Sequence, residues 1–393
     1  SVDVQTDVPV VDLVSIPLDA PALTELAVPA DVADDDPALI LLTSGSTGAP
    51  KGIVLTHGSG WSNLKATVSA FRRDTNPGPL PTDPRPPNLV ANPFSHTGGV
   101  VRLLFALYVG RGLVVLRKFD AHRAKAAIDA HSIDNLTINP AMLRMLLDAR
   151  PPITDLGAVR YVSSGTAPLP PSLREEFEAR FDVPVLQSYG QTEAFGGIAI
   201  ESARDVLEGR RRPSSVGKPL PGVEVRITDP NGRSCATEED GEILARTKSS
   251  TAGYADDTGD AGSPVDDEGW LHTGDLGHLD DDGYLYVTGR LKSIIICGGF
   301  NVIPEELETC LEDDPDVRGA AVVAVTDERL GEIPVAVVEG NGDPSAILKR
   351  VGARLVAYKR PRQLYVVEAL PRLASGKVDK PAVARLVGEL SLR

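Results

Sequence analysis

The 393-residue sequence has few cysteines and no excess of positive charge. Its three cysteines, Cys235, Cys297 and Cys310, form no CxxC pair and no metal-type spacing with the six histidines. That spacing excludes a disulfide framework and a zinc cluster and fits a reducing cytoplasm. The net charge of -15 argues against a nucleic-acid partner, because phosphates would be repelled. No apolar run reaches the roughly 18 residues of a spanning helix, so no integral membrane segment is expected. The first residues lack a basic stretch followed by an apolar one, so no signal peptide is expected. The sequence begins at Ser1 without Met, which predicts an incomplete start.

What is present is an ordinary globular composition, 42% hydrophobic, long enough for two to three domains. Residues 1–36, rich in Pro, Asp and Val, read as a strand or two joined by loops. From Ala38 to about Gly190, short apolar runs alternate with helical patterns: LILLTS before 58–72, NLVANP before 99–109, LVVLRKF before 120–131, NLTIN before 140–149. VRYVSSG, a helix near 170–180, and VPVLQSYG continue the series. Such alternation predicts βαβ units and a largely parallel, helix-covered sheet.

Beyond Ser214 the texture becomes short strands between turn residues, as in GVEVRITDPNGR and DDDGYLYVTGR, predicting a β-rich subdomain over about 214–291. Residues 249–268, polar and Gly/Asp-rich, read as a mobile surface loop. A third texture follows: SIIICGG as a strand, a helix opened by Pro304, two strands around a turn, then SAILKRVGARL as a helix. The expected division is therefore 1–291 and an α+β domain over 292–393.

The strongest local signal is Thr43-Ser44-Gly45-Ser46-Thr47-Gly48-Ala49-Pro50-Lys51-Gly52, directly after an apolar strand. Small residues let backbone N–H groups approach phosphate oxygens, hydroxyls add donors, and Lys51 adds charge. The P-loop of kinases needs Gly, four residues, then Gly-Lys-Ser/Thr, and this run does not match it. Taken alone, it could still be a plain Ser/Gly/Thr loop.

With the motifs that follow it in order, this loop resembles the phosphate loop of the adenylate-forming superfamily, the acyl-CoA synthetases, peptide-synthetase adenylation domains and luciferases. Asn92-Pro93-Phe94-Ser95-His96-Thr97-Gly98-Gly99 is similar to the segment bordering that family's acyl pocket, so His96 would orient or gate the carboxylate. Gly165, Thr166 and Ala167 lie in a turn like the one that packs on adenine. Tyr189-Gly190-Gln191-Thr192-Glu193 is the most diagnostic match. The resemblance implies that Tyr189 stacks on adenine, Thr192 contacts the α-phosphate, and Glu193, with Thr47, binds Mg²⁺. Asp275 and Arg290 correspond to the ribose-binding pair.

By position, Lys292 is the hinge and Gly298, Gly299 and Phe300 the segment that meets the thiol. Lys377, in Pro371-Arg372-Leu373-Ala374-Ser375-Gly376-Lys377, would bridge the carboxylate and the α-phosphate. The implied fold is α/β, with a large N-terminal domain of parallel, helix-covered sheets, a β-rich subdomain and a small mobile α+β C-terminal domain.

The implied reaction is ATP- and Mg²⁺-dependent conversion of a carboxylic acid to an acyl-adenylate, then transfer to coenzyme A with no covalent acyl-enzyme. Acyl-pocket candidates are His96, Thr97, Gly98, Val101, Phe195, Gly196 and Gly197. No aspartate after His96 is placed for an α-amino group, which favours fatty or aromatic acids. An acyl-carrier protein as acceptor and a non-catalytic nucleotide-binding relative stay open as alternatives, and so does the oligomeric state, a homodimer included. Members usually carry a much longer segment before the loop than the 42 residues here. The sequence therefore predicts either a natural short form or an omitted segment.

Overall fold

The computed structural model describes residues 31–44, 50–72, 85–255, 263–373 and 376–391. The chain divides into two compact units, Ser1–Ala33 and Asp34–Arg393, and every element below lies in the second. The strand or two expected within residues 1–30 fall outside the described residues.

The expected strand–helix alternation is present from residue 88 onward. Strands Asn88–Val90 and Leu113–Val115 pair in parallel, as do Asn135–Ile138, Tyr161–Ser164 and the start of Val185–Gln191. Helices Thr97–Tyr108, Ala121–His131, Pro140–Leu147 and Pro171–Phe181 connect them. Local chemistry explains where two of these begin. Asp120 and Asn139 accept the N–H groups of Arg123 and Met142, both at 2.9 Å, and Pro140 sets the first helical φ of its helix. Leu136, Ile138, Leu143, Val162, Phe177 and Val185 meet between sheet and helices, each at most 2% exposed. Side chains of that size contribute about 1.5–3 kcal/mol apiece on full burial.

Two expectations are corrected. LILLTS does not lead straight into a helix. Strand Pro37–Ser44 turns back antiparallel onto Pro50–Thr56, and helix His57–Arg72 follows. The run Gly52-Ile53-Val54-Leu55-Thr56 is apolar and β-branched enough to be a strand, with Ile53 and Leu55 fully buried. Second, part of the polar stretch 249–268 is ordered: Gly253–Tyr254 adds a third strand to this hairpin, Gly253 opposite Val54 and Tyr254 opposite Ile53. Residues 256–262 lie outside the described residues. The largely parallel sheet is present as expected, extended at one side by antiparallel pairing of Val185–Gln191 with Gly196–Ile200 and of that strand with Lys218–Pro219.

Strands Glu224–Thr228, Gly241–Arg246, Leu271–Leu279 and Leu285–Arg290 make a four-stranded antiparallel sheet within the expected β-rich region. Residues 295–367 build another sheet, in which Gly331–Gly340 is central, antiparallel to Val317–Asp327 and parallel to Gln363–Val367. Helices Pro304–Glu312 and Pro344–Gly352 and helix Lys380–Leu390 contribute to two separate apolar clusters on this sheet.

Candidate active site

Strand Val185–Gln191 ends in a short 3-10 turn, Thr192–Ala194, and returns as Gly196–Ile200. The return is so tight that a Cβ on Gly190 would lie 1.7 Å from the Gly196 carbonyl oxygen, which explains the glycine. Phe195 makes the turn with φ +53. Its ring, 2% exposed, packs with Leu41, Ile53 and Leu55 and lies directly over Gly60. Phe195 is therefore a core side chain that fixes the turn, not part of an open cleft as expected from the sequence.

Three segments hold this turn. The Thr97 hydroxyl donates to Thr192 Oγ1 at 2.6 Å, tying it to the first turn of helix Thr97–Tyr108. The Thr251 N–H donates to the Glu193 carbonyl at 2.7 Å, and the Thr251 hydroxyl donates to Val54 at 2.6 Å. Asn63 Nδ2 donates to the Gly197 carbonyl at 3.2 Å. Sequence reasoning missed Asn63 and Thr251; a lone Asn within a helix and a Thr in a polar stretch carry no motif.

Of the phosphate-loop candidates, Thr43, Ser44 and Lys51 lie at the paired strand ends of the first hairpin. Thr43 pairs with Lys51 and Ser44 with Pro50, while Gly45, Ser46, Thr47 and Gly48 lie outside the described residues. The Lys51 ammonium lies 5.1 Å from the Tyr254 ring centroid, a cation–π distance. The third strand thus positions that lysine.

The Tyr189 hydroxyl donates to Asp275 Oδ2 at 2.7 Å, and Arg290 Nε donates to Asp275 Oδ1 at 2.6 Å. Asp275 and Arg290 are direct cross-strand partners, and the Asp275 N–H donates to Thr273 Oγ1 at 3.1 Å. Burial, reinforced by Asp275, holds the Tyr189 phenol well above its ordinary pKa, so it remains a donor.

Lys377 comes from the far end of the sequence yet shares this electrostatic environment. Gly376 (φ +85) packs on the cap of helix Pro140–Leu147; a Cβ there would lie 3.0 Å from Asn139 Nδ2. Burial and the Arg290 charge lower the Lys377 pKa, against the pull of Asp275 and Glu193. Burial raises the Glu193 pKa, with Asp275 adding to the rise and Arg290 and Lys377 opposing it. Two expected residues 184 positions apart thus sense each other directly.

The remaining candidates fall into two groups. Gly98 and Thr166 adjoin, since a Cβ on Gly98 would lie 3.5 Å from Thr166 Cγ2; Gly165 lies against Ser188, and Gly196 faces Val101 at 3.3 Å. Thr166 has φ +70, Ala167 follows it, and Gln191, at the start of the return turn, pairs with Gly196. His96 is exposed and precedes helix Thr97–Tyr108. Lys292 lies in the turn Leu291–Ser293. Gly298, Gly299 and Phe300 form a hairpin tip whose contacts lie with Leu330 and Tyr358; the Phe300 ring stacks on Tyr358 at 4.7 Å. That hairpin is not brought to Lys377.

Among the described residues no cluster of three His, Cys, Asp or Glu side chains could hold a metal alone. The donor set still fits Mg²⁺, which is commonly held by one or two carboxylates together with substrate phosphates, and Glu193 is a carboxylate beside the phosphate-loop candidates.

The hydrogen-bonded Tyr189–Asp275–Arg290 cluster, with Glu193 and Lys377 in its field, fits the class of nucleotide-dependent adenylating enzymes. Residues 3–255 match the family described as AMP-binding enzyme, and residues 306–377 match the AMP-binding enzyme C-terminal domain. The chain belongs to the AMP-binding enzyme family. It is 37% identical over 379 residues to a 3-[(3aS,4S,7aS)-7a-methyl-1,5-dioxo-octahydro-1H-inden-4-yl]propanoyl:CoA ligase of Mycobacterium tuberculosis, covering 94% of this chain and 69% of that enzyme. Similarity to the indoleacetate–CoA ligase of Aromatoleum aromaticum is 36% over 370 residues, covering 92% and 70%. Among solved structures it resembles o-succinylbenzoate coenzyme A synthetase from Bacillus subtilis in complex with ATP and magnesium, with a TM-score of 0.77, 29% identity, and coverage of 92% and 73%.

Proposed function

We propose that this chain is an AMP-forming acid–thiol ligase: it activates a fatty or aromatic carboxylic acid with ATP and transfers the acyl group to coenzyme A. The observation carrying the assignment of residues is the electrostatic meeting of Lys377 with Glu193, Asp275 and Arg290. In this reading the Lys377 ammonium, in the field of both carboxylates, would stand where the acid carboxylate and the α-phosphate converge. The relatives' names support the acceptor, since both are CoA ligases.

In this reading Asp275 accepts the ribose hydroxyls, Arg290 orients Asp275, and Tyr189 stacks on adenine beside Gly165, Thr166 and Ala167. Lys51 and the backbone around Thr43 to Gly48 hold the β- and γ-phosphates. Glu193 and Thr47 hold Mg²⁺, which neutralises phosphate charge when bound. The Thr192 hydroxyl, oriented by Thr97, faces the α-phosphate. The acid carboxylate and ATP repel one another, and the Lys377 ammonium would lower that repulsion. In-line attack on the α-phosphate releases pyrophosphate; the thiol then attacks the acyl carbon and AMP leaves.

We place the domain boundary at Lys292. Rotation there would withdraw Lys377 and bring Gly298 to Phe300 to the thiol, which accounts for their separate position. The three cysteines are free thiols, which supports a reducing cytoplasm. Among the described residues no helix is long and apolar enough to cross a membrane.

The test is acid-dependent ATP–pyrophosphate exchange over fatty, aromatic and amino acids, followed by product analysis with coenzyme A and with a phosphopantetheinylated carrier protein. Exchange that needs an acid, and an acyl-CoA product, would support the reading. An acyl-carrier product without acyl-CoA would reassign the acceptor, and no exchange by a folded, ATP-binding protein would overturn catalysis altogether.

A further inference from the structure

A cavity of about 110 Å³ lies between helix Thr97–Tyr108 and strands Asn135–Ile138 and Tyr161–Ser164. Phe71, Phe105 and Tyr161 form its aromatic walls, with the Phe71 ring 6.2 Å from Phe105 and 6.0 Å from Tyr161. It is somewhat smaller than the ~150 Å³ apolar cavity that accepts benzene, so it suits part of a ring or a short chain. Arg102 lines this cavity together with Arg85, Arg111, Asn88, Asn135 and Thr137.

Among the described residues Arg102 has no carboxylate or hydrogen-bond acceptor. The neighbouring Arg111 is different, donating to both oxygens of Asp134 at 2.6 and 3.2 Å. Burial pulls the Arg102 pKa down to about 10, so the group is still cationic at neutral pH. A half-buried cation with no carboxylate partner among the described residues would gain from an anion entering the cavity.

The cavity is aligned with the candidate active site. Gly98, Arg102 and Phe105 stand at i, i+4 and i+7 on one face of the helix, and Gly98 adjoins Thr166. Along the facing strand, Tyr161, Ser163 and Gly165 alternate onto one side; Ser163 pairs with Thr137, and its buried hydroxyl has no partner. Arg102 therefore stands one helical turn, about 6 Å along the axis, from Gly98 and its neighbour Thr166.

We propose that Arg102 closes the far end of the acyl pocket and binds a second carboxylate, so that the preferred substrate is a dicarboxylic acid with an apolar or aromatic body. The proposal rests on the adenylating function and on Gly98 as a wall of the acyl pocket. It separates this chain from a ligase for plain fatty acids, whose chain end would meet a bare charge here.

Two matched pairs test it: 3-phenylpropanoate against 3-(4-carboxyphenyl)propanoate, and octanoate against octanedioate. ATP–pyrophosphate exchange by the full chain should favour the diacid of a pair, and Arg102→Met should shift that preference towards the monoacid roughly ten- to hundredfold, the scale of one charge-assisted contact. Arg102→Lys should keep part of the preference and serves where the Met variant does not fold. Equal use of monoacid and diacid by the wild type, or an equal loss for both in Arg102→Met, would overturn the proposal. Calorimetric titration with the diacids, without ATP, is independent of turnover. Exchange absent with every acid counts against the adenylating function, while diacid binding that disappears in Arg102→Met still supports the anion site. Absence of diacid binding by the wild type refutes it.

Discussion

The Tyr189 hydroxyl and the Arg290 guanidinium each hold one oxygen of Asp275, at 2.7 and 2.6 Å, so this carboxylate is oriented before any ribose reaches it. Tyr189→Phe keeps the ring and removes one bond. It should cost about 1 kcal/mol of stability and raise the KM for ATP several-fold. Asp275→Asn replaces a charged acceptor and should weaken ATP binding roughly ten- to hundredfold, the scale of a hydrogen bond to a charged group. Calorimetric titration with ATP checks both; equal affinities in wild type and Asp275→Asn would remove Asp275 from the nucleotide site.

The pH profile of exchange should be narrowed on both sides. Glu193 works as a carboxylate and burial raises its pKa, so on acidification its charge is lost earlier than that of a free glutamate. Lys377 works as an ammonium and burial lowers its pKa, so the alkaline fall should begin below the ordinary lysine range. Lys377→Arg, which does not titrate there, should lose the alkaline limb even if slower. Lys377→Ala should reduce exchange by orders of magnitude. An alkaline limb that persists unchanged in the arginine variant would assign it to another group.

Gly376→Ala should separate the two half-reactions. The residue has φ +85 and packs on Asn139, so an added methyl disfavours the backbone that holds Lys377 near Glu193 and Asp275. Exchange should fall about tenfold or more, one decade for each 1.4 kcal/mol of lost positioning. Conversion of preformed acyl-adenylate to acyl-CoA should be retained, and single-turnover measurements of each step would decide the matter. Equal loss in both steps would contradict a role confined to adenylation.

Stability should depend on pH through Glu312. Burial, aided by the nearby Glu308, pushes its folded pKa from 4.5 up to about 7, despite the N–H bond from Ala320. The folded state therefore binds a proton more tightly than the unfolded chain. Its contribution is fully present below the unfolded value and is lost as pH rises through about 7, a change of up to about 3 kcal/mol. Glu312→Gln should flatten the Tm between pH 4.5 and 7 and raise it at pH 8; thermal melts of both proteins across that range provide the check.

Much of this protein is determined locally and is legible in the sequence. Apolar runs, capping residues such as Asp120 and Asn139, and the motifs around Thr43, Tyr189, Asp275 and Lys377 reflect periodicities and backbone needs that span a few residues. They identified most of the strands and helices, the adenylating chemistry and the order of its parts. Gly190 shows how local that information is: its motif was visible, but the reason for the glycine is the Gly196 carbonyl across the turn.

What only the tertiary structure decided are contacts between segments far apart in the chain, which no local period encodes. The first hairpin gains its third strand from Gly253 and Tyr254, about two hundred residues later, and Lys51 gains its aromatic neighbour with it. Phe195 is withdrawn from the pocket because the positive φ of its turn sends the ring into the core beside Gly60. Arg102 carries no motif, and its meaning depends on two strands and a helix setting it beside Phe105 and Tyr161 with no carboxylate partner among the described residues. The sequence alone determines which chemical groups are available, and packing decides which of them meet, because burial and charge act through space and not along the chain.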